Sequence, residues 1–172
     1  LGIIARGDGQ QELANAYFRQ ALQVAPETAA SEEIAGILFD SGAYVDALQQ
    51  YTMLGRKSQS DQQRQAFESR AVICRFRNNE VKEAERAAAA FLKTYPDAEE
   101  SRAAFEVERG TYLFRNEDYA KALKSFDQVI DKHGTTGAVT SALYWRGKTL
   151  SALNKQPEAI QQLLSLLKEY PG

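Results

Sequence analysis

Cys74 and His133 are the chain's single cysteine and single histidine. That scarcity bounds the available chemistry. One cysteine excludes an intramolecular disulfide and a cysteine-based zinc site, and one histidine excludes paired-histidine metal motifs. Cys74 follows Phe67 and Ala71 at i, i+4, i+7, so its thiol belongs to the apolar face of a helix, where cysteine packs rather than reacts. His133 precedes Gly134 at the end of a helical stretch, where a cation is favoured by the helix dipole. Glutamates are numerous, but none is spaced from a His, Ser or Cys as a base is from its nucleophile. Arg6-Gly7-Asp8 spells the adhesion tripeptide, yet three residues carry little information and read first as a polar turn. Arg64, Arg70, Arg75 and Arg77 crowd one helix against Asp61 and Glu68. They read either as a site for an acidic peptide or as a solvated face with counter-charges nearby, and the second needs no further assumption. Only carboxylates, Tyr and Lys remain for catalysis. The sequence therefore points to no enzyme, no cofactor and no metal.

The charge balance agrees. There are 21 basic and 23 acidic residues in 172. Residues 1–86 hold 10 and 12 of them, residues 87–172 hold 11 and 11, so neither half has the basic excess that nucleic-acid binding by charge requires. Hydrophobic residues make up 44%, enough for a core without staples. No apolar run is long enough to span a bilayer, and no signal peptide opens the chain.

The elements that must carry these residues repeat. Pro26, Pro96 and Pro171 close Val-Ala-Pro, Tyr-Pro and Tyr-Pro contexts two repeat lengths apart, and the intervening ends fall near Gln59 and Gly134. Ala14, Ala47, Ala84, Ala122 and Ala159 recur 33 to 38 residues apart. Gly2, Ala35, Gly110 and Gly147 precede four of them by twelve, and Ala71 precedes Ala84 by thirteen, which predicts one extra residue in that turn. Each repeat reads as two helices. In the fourth, Ala103 to Arg115 is followed by the polar break Asn116-Glu117-Asp118 and a second helix from Tyr119 to Lys132. Within that second helix Tyr119, Ala122, Leu123, Phe126, Val129 and Ile130 keep an amphipathic period. Asp40-Ser41-Gly42 and Asn78-Asn79 stop first helices. Pro157 suits a first turn, and Ser60 with Gln63 forms a capping box. No stretch alternates as a strand does. Small residues at the helix crossings allow close approach, and Phe18, Tyr51, Phe126 and Leu163 are expected to fill the space toward the next hairpin.

The order Gly110, Leu113, Tyr119, Ala122, Phe126, repeated as Gly147, Leu150, Ala159, Leu163, Pro171 and as Ala35, Leu38, Gly42, Tyr44, Ala47, Tyr51, resembles the tetratricopeptide repeat. The usual early tryptophan is absent, with Leu143 in its place in the fifth repeat. The resemblance implies an all-α, right-handed α-solenoid of about five tandem helix-turn-helix repeats. Their bounds are approximately 1–27, 28–60, 61–97, 98–137 and 138–172, a single array with the first repeat truncated. The Tyr-Pro endings also resemble bacterial cell-envelope members, the Tol–Pal coordinator and outer-membrane assembly lipoprotein types. They imply a fragment of a longer bacterial protein, periplasmic or envelope-associated, and cytoplasmic if that likeness fails.

In such arrays the first helix of each repeat lines a concave groove. The implied positions are Glu32, Gly36 and Phe39, then Phe76 or Arg77, then Val107, Thr111 and Phe114, then Tyr144, Lys148 and Ser151. Phe39, Phe76, Phe114, Tyr144 and Lys148 are the expected partner-binding residues. Val107 and Thr111 stand where a carboxylate clamp for chaperone tails needs Lys and Asn, so that specialised use is not expected. The implied function is a non-catalytic scaffold that binds a protein or peptide. A docking arm for an enzyme outside this segment, or an RNA-reading helical repeat, are the alternatives; Glu32 and Val107 argue against the RNA reader. The apolar positions of the last helix, Leu164 and Leu167 among them, raise two further expectations: that the native chain continues with another helix over them, or that the fragment self-associates through them.

Overall fold

The computed structural model describes residues 10–24 and 30–169. Gly2, the Arg6-Gly7-Asp8 tripeptide, Pro26, Tyr170 and Pro171 lie outside them. Among the described residues the chain is helical throughout, without strands. In order the helices are α1 (Gln11–Val24), α2 (Ala30–Asp40), α3 (Tyr44–Lys57), α4 (Asp61–Arg77), α5 (Val81–Thr94), α6 (Glu99–Arg115), α7 (Tyr119–Lys132), α8 (Ala138–Ala152) and α9 (Gln156–Glu169). They form tandem helical hairpins of the α-solenoid class. The chain divides into two compact units, Leu1–Asn78 and Asn79–Gly172.

The turns inside the hairpins explain the regularity. Gly42, Asn79, Glu117 and Asn154 all have φ between 61° and 82°, and each stands five residues before one of the recurring alanines. A left-handed residue there ends the first helix and reverses the chain. In three of these turns two bonds recur: Gly42 N–H to Phe39 O and Ala43 N–H to Leu38 O, Glu117 N–H to Phe114 O and Asp118 N–H to Leu113 O, Asn154 N–H to Ser151 O and Lys155 N–H to Leu150 O. They satisfy carbonyls that a helix end would otherwise leave unbonded. Because Asn79 keeps the same distance to Ala84 as the others keep to theirs, the third repeat has no extra residue. The expectation based on Ala71 is therefore corrected. Val72 occupies the small-residue position and is buried, while Ala71 is only partly buried.

The helix starts follow local chemistry. Ser60 caps α4, its side chain accepting from Gln63 N–H. Asp118 caps α7 by accepting from Lys121 N–H, and its carboxylate also takes the Lys121 ammonium at 2.6 Å. That ammonium, together with the amide, holds the Asp118 carboxyl below its ordinary range. Helix α6 begins four residues before the expected Ala103, because Glu99 and Glu100 extend its first turn where acidic groups meet the favourable end of the dipole.

In the first unit Ala14, Phe18, Leu22, Ala35, Leu38, Ala47, Tyr51, Phe67 and Cys74 form one core cluster. Tyr51 stacks on Phe67, ring centroids 6.3 Å apart. Burial pushes the Tyr51 phenol above its ordinary value, with Arg70 opposing the shift; the Arg70 guanidinium donates to that hydroxyl at 3.5 Å. In the second unit Ala103, Val107, Ala122, Phe126, Val129 and Ala142 form the core around α6, α7 and α8. Here one expectation changes. Phe126 and Leu163 do not only reach outward; they lie over Gly110 and Gly147 of their own hairpins. A Cβ on Gly110 would sit 2.6 Å from Phe126 Cε1, and one on Gly147 would sit 2.8 Å from Leu163 Cδ2. The glycines make room for a side chain, not for a backbone.

Candidate functional site: an aromatic and cationic surface on first helices

The expected groove residues divide by burial. Phe76 is 2% exposed and packs in the interior, so it offers no surface to a ligand. Val107 and Thr111 are buried too, and the Thr111 hydroxyl donates to Val107 O at 2.8 Å. Phe39 is half-buried on α2. It meets Tyr44 and Tyr51 edge-on at 5.8 and 6.4 Å, and the Arg77 guanidinium covers it at 4.5 Å.

Phe114, Tyr144 and Lys148 do come together, on two first helices of the second unit. Helices α6 and α8 are neighbours, which places Phe114 of α6 beside the face of α8. Tyr144 is 45% exposed. The Lys148 ammonium stands 5.8 Å from the Phe114 ring centre, 5.5 Å from Tyr144 and 4.7 Å from Trp145. Trp145 is the residue that the groove register missed. It packs against Phe114 at 5.3 Å and Tyr144 at 5.6 Å. Only its type, the chain's single tryptophan, set it apart in the sequence, because position 145 lies one place off the groove register. Tyr119, at the start of α7, closes the cluster behind Phe114 at 5.4 Å. Four rings and an ammonium thus form a surface that is apolar in its body and cationic at one point. The faces of Phe114, Tyr144 and Trp145 attract the cation through their quadrupoles, which holds the long lysine side chain in one place.

The remaining singled-out residues have structural settings. His133 caps the C-terminal end of α7, and its Nδ1 lies 3.3 Å from the Glu99 carboxylate. Gly137 N–H donates to Glu100 at 3.2 Å, so the first turn of α6 ties down the loop between α7 and α8. Cys74 is buried in the first core cluster. Arg64 binds Asp61 and the Ser58 carbonyl, and Arg70 lies over Tyr51 at 5.7 Å, so the arginine-rich helix spends two of its cations on its own unit. Among the described residues no three His, Cys, Asp or Glu side chains are placed to hold a metal, and no helix is long and apolar enough to cross a membrane.

The tetratricopeptide repeat family pattern matches residues 1–61 and 107–172. The chain belongs to the tetratricopeptide repeat family. Repeats of this family generally mediate protein–protein interaction, and their fold is typically a non-catalytic scaffold. No curated protein matches the sequence. Among solved structures, the chain is similar to nearly identical TPR-like repeats from a kinesin light chain candidate of Podosopora anserina, with 16% identity over 96% of this chain and 89% of that one, at a TM-score of 0.57. It is also similar to a chain in the structure of Naa15 and Naa10 bound to HypK-THB, with 20% identity over 99% of this chain at a TM-score of 0.51. This chain spans 26% of that second one. At such identities the likeness concerns the fold.

Proposed function

We propose that the protein is a non-catalytic scaffold whose second unit binds a peptide segment of a partner protein on the α6–α8 surface. The observation that carries this reading is the gathering of Phe114, Tyr144 and Trp145 around Lys148 on two adjacent first helices, where the cluster is partly exposed. Aromatic side chains supply large contact area at low entropic cost, and the ammonium favours a peptide with an acidic side chain next to an apolar one. Within the first unit, taken by itself, Phe39 under Arg77 repeats the theme of a ring beneath a cation. The Tyr-Pro repeat endings favour a cell-envelope setting for this scaffold within a longer bacterial protein.

Trp145 allows a direct test. As the only indole in the chain it reports on this surface by its emission. Peptides selected from a displayed random library on the immobilised protein are titrated against that emission. The expected result is saturable change, weakened about ten-fold or more by Phe114→Ala and Tyr144→Ala together, as loss of two contact aromatics implies. Selected peptides that bind the folded double variant as tightly as the native protein would place the site elsewhere.

A further inference from the structure

Lys148 stands apart from Arg109, Lys121 and Arg146 of the same unit in what holds it. Arg146 donates to Asp127 at 2.6 Å and to Gln162 at 2.8 Å. Lys121 binds Asp118 at 2.6 Å, and Arg109 lies 3.5 Å from Glu85 and 3.6 Å from Glu106. The Lys148 ammonium has the ring faces of Phe114, Tyr144 and Trp145, and among the described residues it makes no ion pair and no hydrogen bond. Its own helix, α8, contains no Asp or Glu. Asp127, Asp118 and Glu106 of the neighbouring elements are engaged by the three other cations. Lys148 follows Tyr144 by four residues and Trp145 by three, so its stem lies along both side chains, and it is half-buried.

A partner segment that covers these rings must also deal with the charge. If the ammonium stays on the rings, the segment strips water from it. A desolvated ammonium without an anion is costly, and the ring quadrupoles offset only part of that cost. If the stem instead carries the ammonium out to water, all three ring contacts are lost. Either course disfavours a purely apolar ligand. A carboxylate on the ligand changes the balance. It pairs with the ammonium from the solvent side while the rings hold it from beneath, and an adjacent apolar side chain can then cover Tyr144 and Trp145.

Resting on the peptide-binding reading of this surface, we propose that Lys148 is its specificity-determining residue and that it works by exclusion. It admits a partner segment that brings a carboxylate next to an apolar side chain, and it turns away apolar segments that lack one. Specificity of this kind is a difference between ligands, carried by what the wrong ligand leaves unpaired. Loss of the charge should therefore do two opposite things: weaken binding of the acidic ligand and improve binding of its neutral counterpart.

The probes are a synthetic peptide, taken from the acidic sequences selected on the immobilised protein, and its amide form with Gln for Glu and Asn for Asp. A selected set without acidic residues overturns the proposal at once. Both peptides are titrated by calorimetry into the whole 172-residue chain and into Lys148→Met, which keeps the apolar stem and removes the charge. The native protein should prefer the acidic form by about ten-fold or more. Lys148→Met should lose that preference and bind the amide form about ten-fold tighter than the native protein does. Lys148→Gln repeats the measurement with a polar neutral side chain, so that the result does not hang on the packing of methionine. Lys148→Arg keeps a cation over the rings and should keep the preference. A preference that survives loss of the charge overturns the proposal. So does an amide form that binds the neutral variants no tighter than the native protein, which would leave attraction without exclusion. Binding indifferent to Phe114→Ala with Tyr144→Ala would instead remove the site itself, and this inference with it.

Discussion

At the scale of single residues, two glycines look alike in sequence and differ in consequence. Gly110 and Gly147 hold equivalent places, and each would put a Cβ within 3 Å of the side chain sixteen residues on. Phe126 over Gly110 is fully buried, whereas Leu163 over Gly147 is only half-buried. A ring fixed on all sides cannot step aside, but a partly free leucine can rotate. Gly110→Ala should therefore cost about 1–3 kcal/mol, in the range of overpacked cores, and Gly147→Ala clearly less. The small gain in helix propensity, about 1 kcal/mol, offsets the strain more fully at the second site. Urea denaturation of both variants checks the order; equal losses would mean that the Phe126 ring is free to move. The same reasoning shows what the sequence could and could not say. It marked both positions as requiring small residues, because alanine or glycine recurs there. It could not say that the space is for a ring, since that depends on which rotamer the packed neighbour adopts.

Among elements, the hairpin turns were the most legible part of the fold. Gly42 and Asn79 are residues that accept positive φ, and Asn154 is another. Their types alone locate helix ends. Glu117 is the exception, at φ 62°, in a conformation that disfavours a residue with a long side chain. The bonds around it match those around Gly42 and Asn154, so the turn is set by the repeat, and the residue conforms. Glu117→Gly should stabilise the protein by about 1 kcal/mol, the strain relieved less the extra freedom glycine gives the unfolded chain. Thermal unfolding should shift upward by about 2–4 °C. A decrease would show that the Glu117 side chain contributes something that outweighs its backbone strain. The third repeat shows where element-scale reading failed. Ala71 looked like the crossing residue because small residues hold that place in the other repeats. Val72 holds it instead, and only the position of the left-handed Asn79 reveals the true register.

For the whole molecule, the repeat spacing gave the architecture, while the surface that a partner would use was only partly visible. Phe114, Tyr144 and Lys148 followed from placing first helices on one surface. Trp145 did not, because position 145 lies one place off the groove register, and its ring reaches Phe114 only through the packing of α8 against α6. Packing between repeats is also what makes this class of fold cohere. Within the second unit α6, α7 and α8 touch one another, and α9 packs on α8. In a repeat fold each element is held by its neighbours, so a defect is felt locally and fades along the chain. Ala122 is fully buried within the core cluster that unites α6, α7 and α8. Ala122→Leu adds three carbons where no space exists and should strain those helices by about 1–3 kcal/mol. The effect should appear as faster amide hydrogen exchange in α6, α7 and α8. Helices α1 to α3, whose core residues Ala14, Phe18, Leu38 and Tyr51 form a cluster of their own, should keep their protection. Exchange that accelerates equally along the chain would mean that the protein opens as a single cooperative body, and that the repeat-by-repeat account of its stability is wrong.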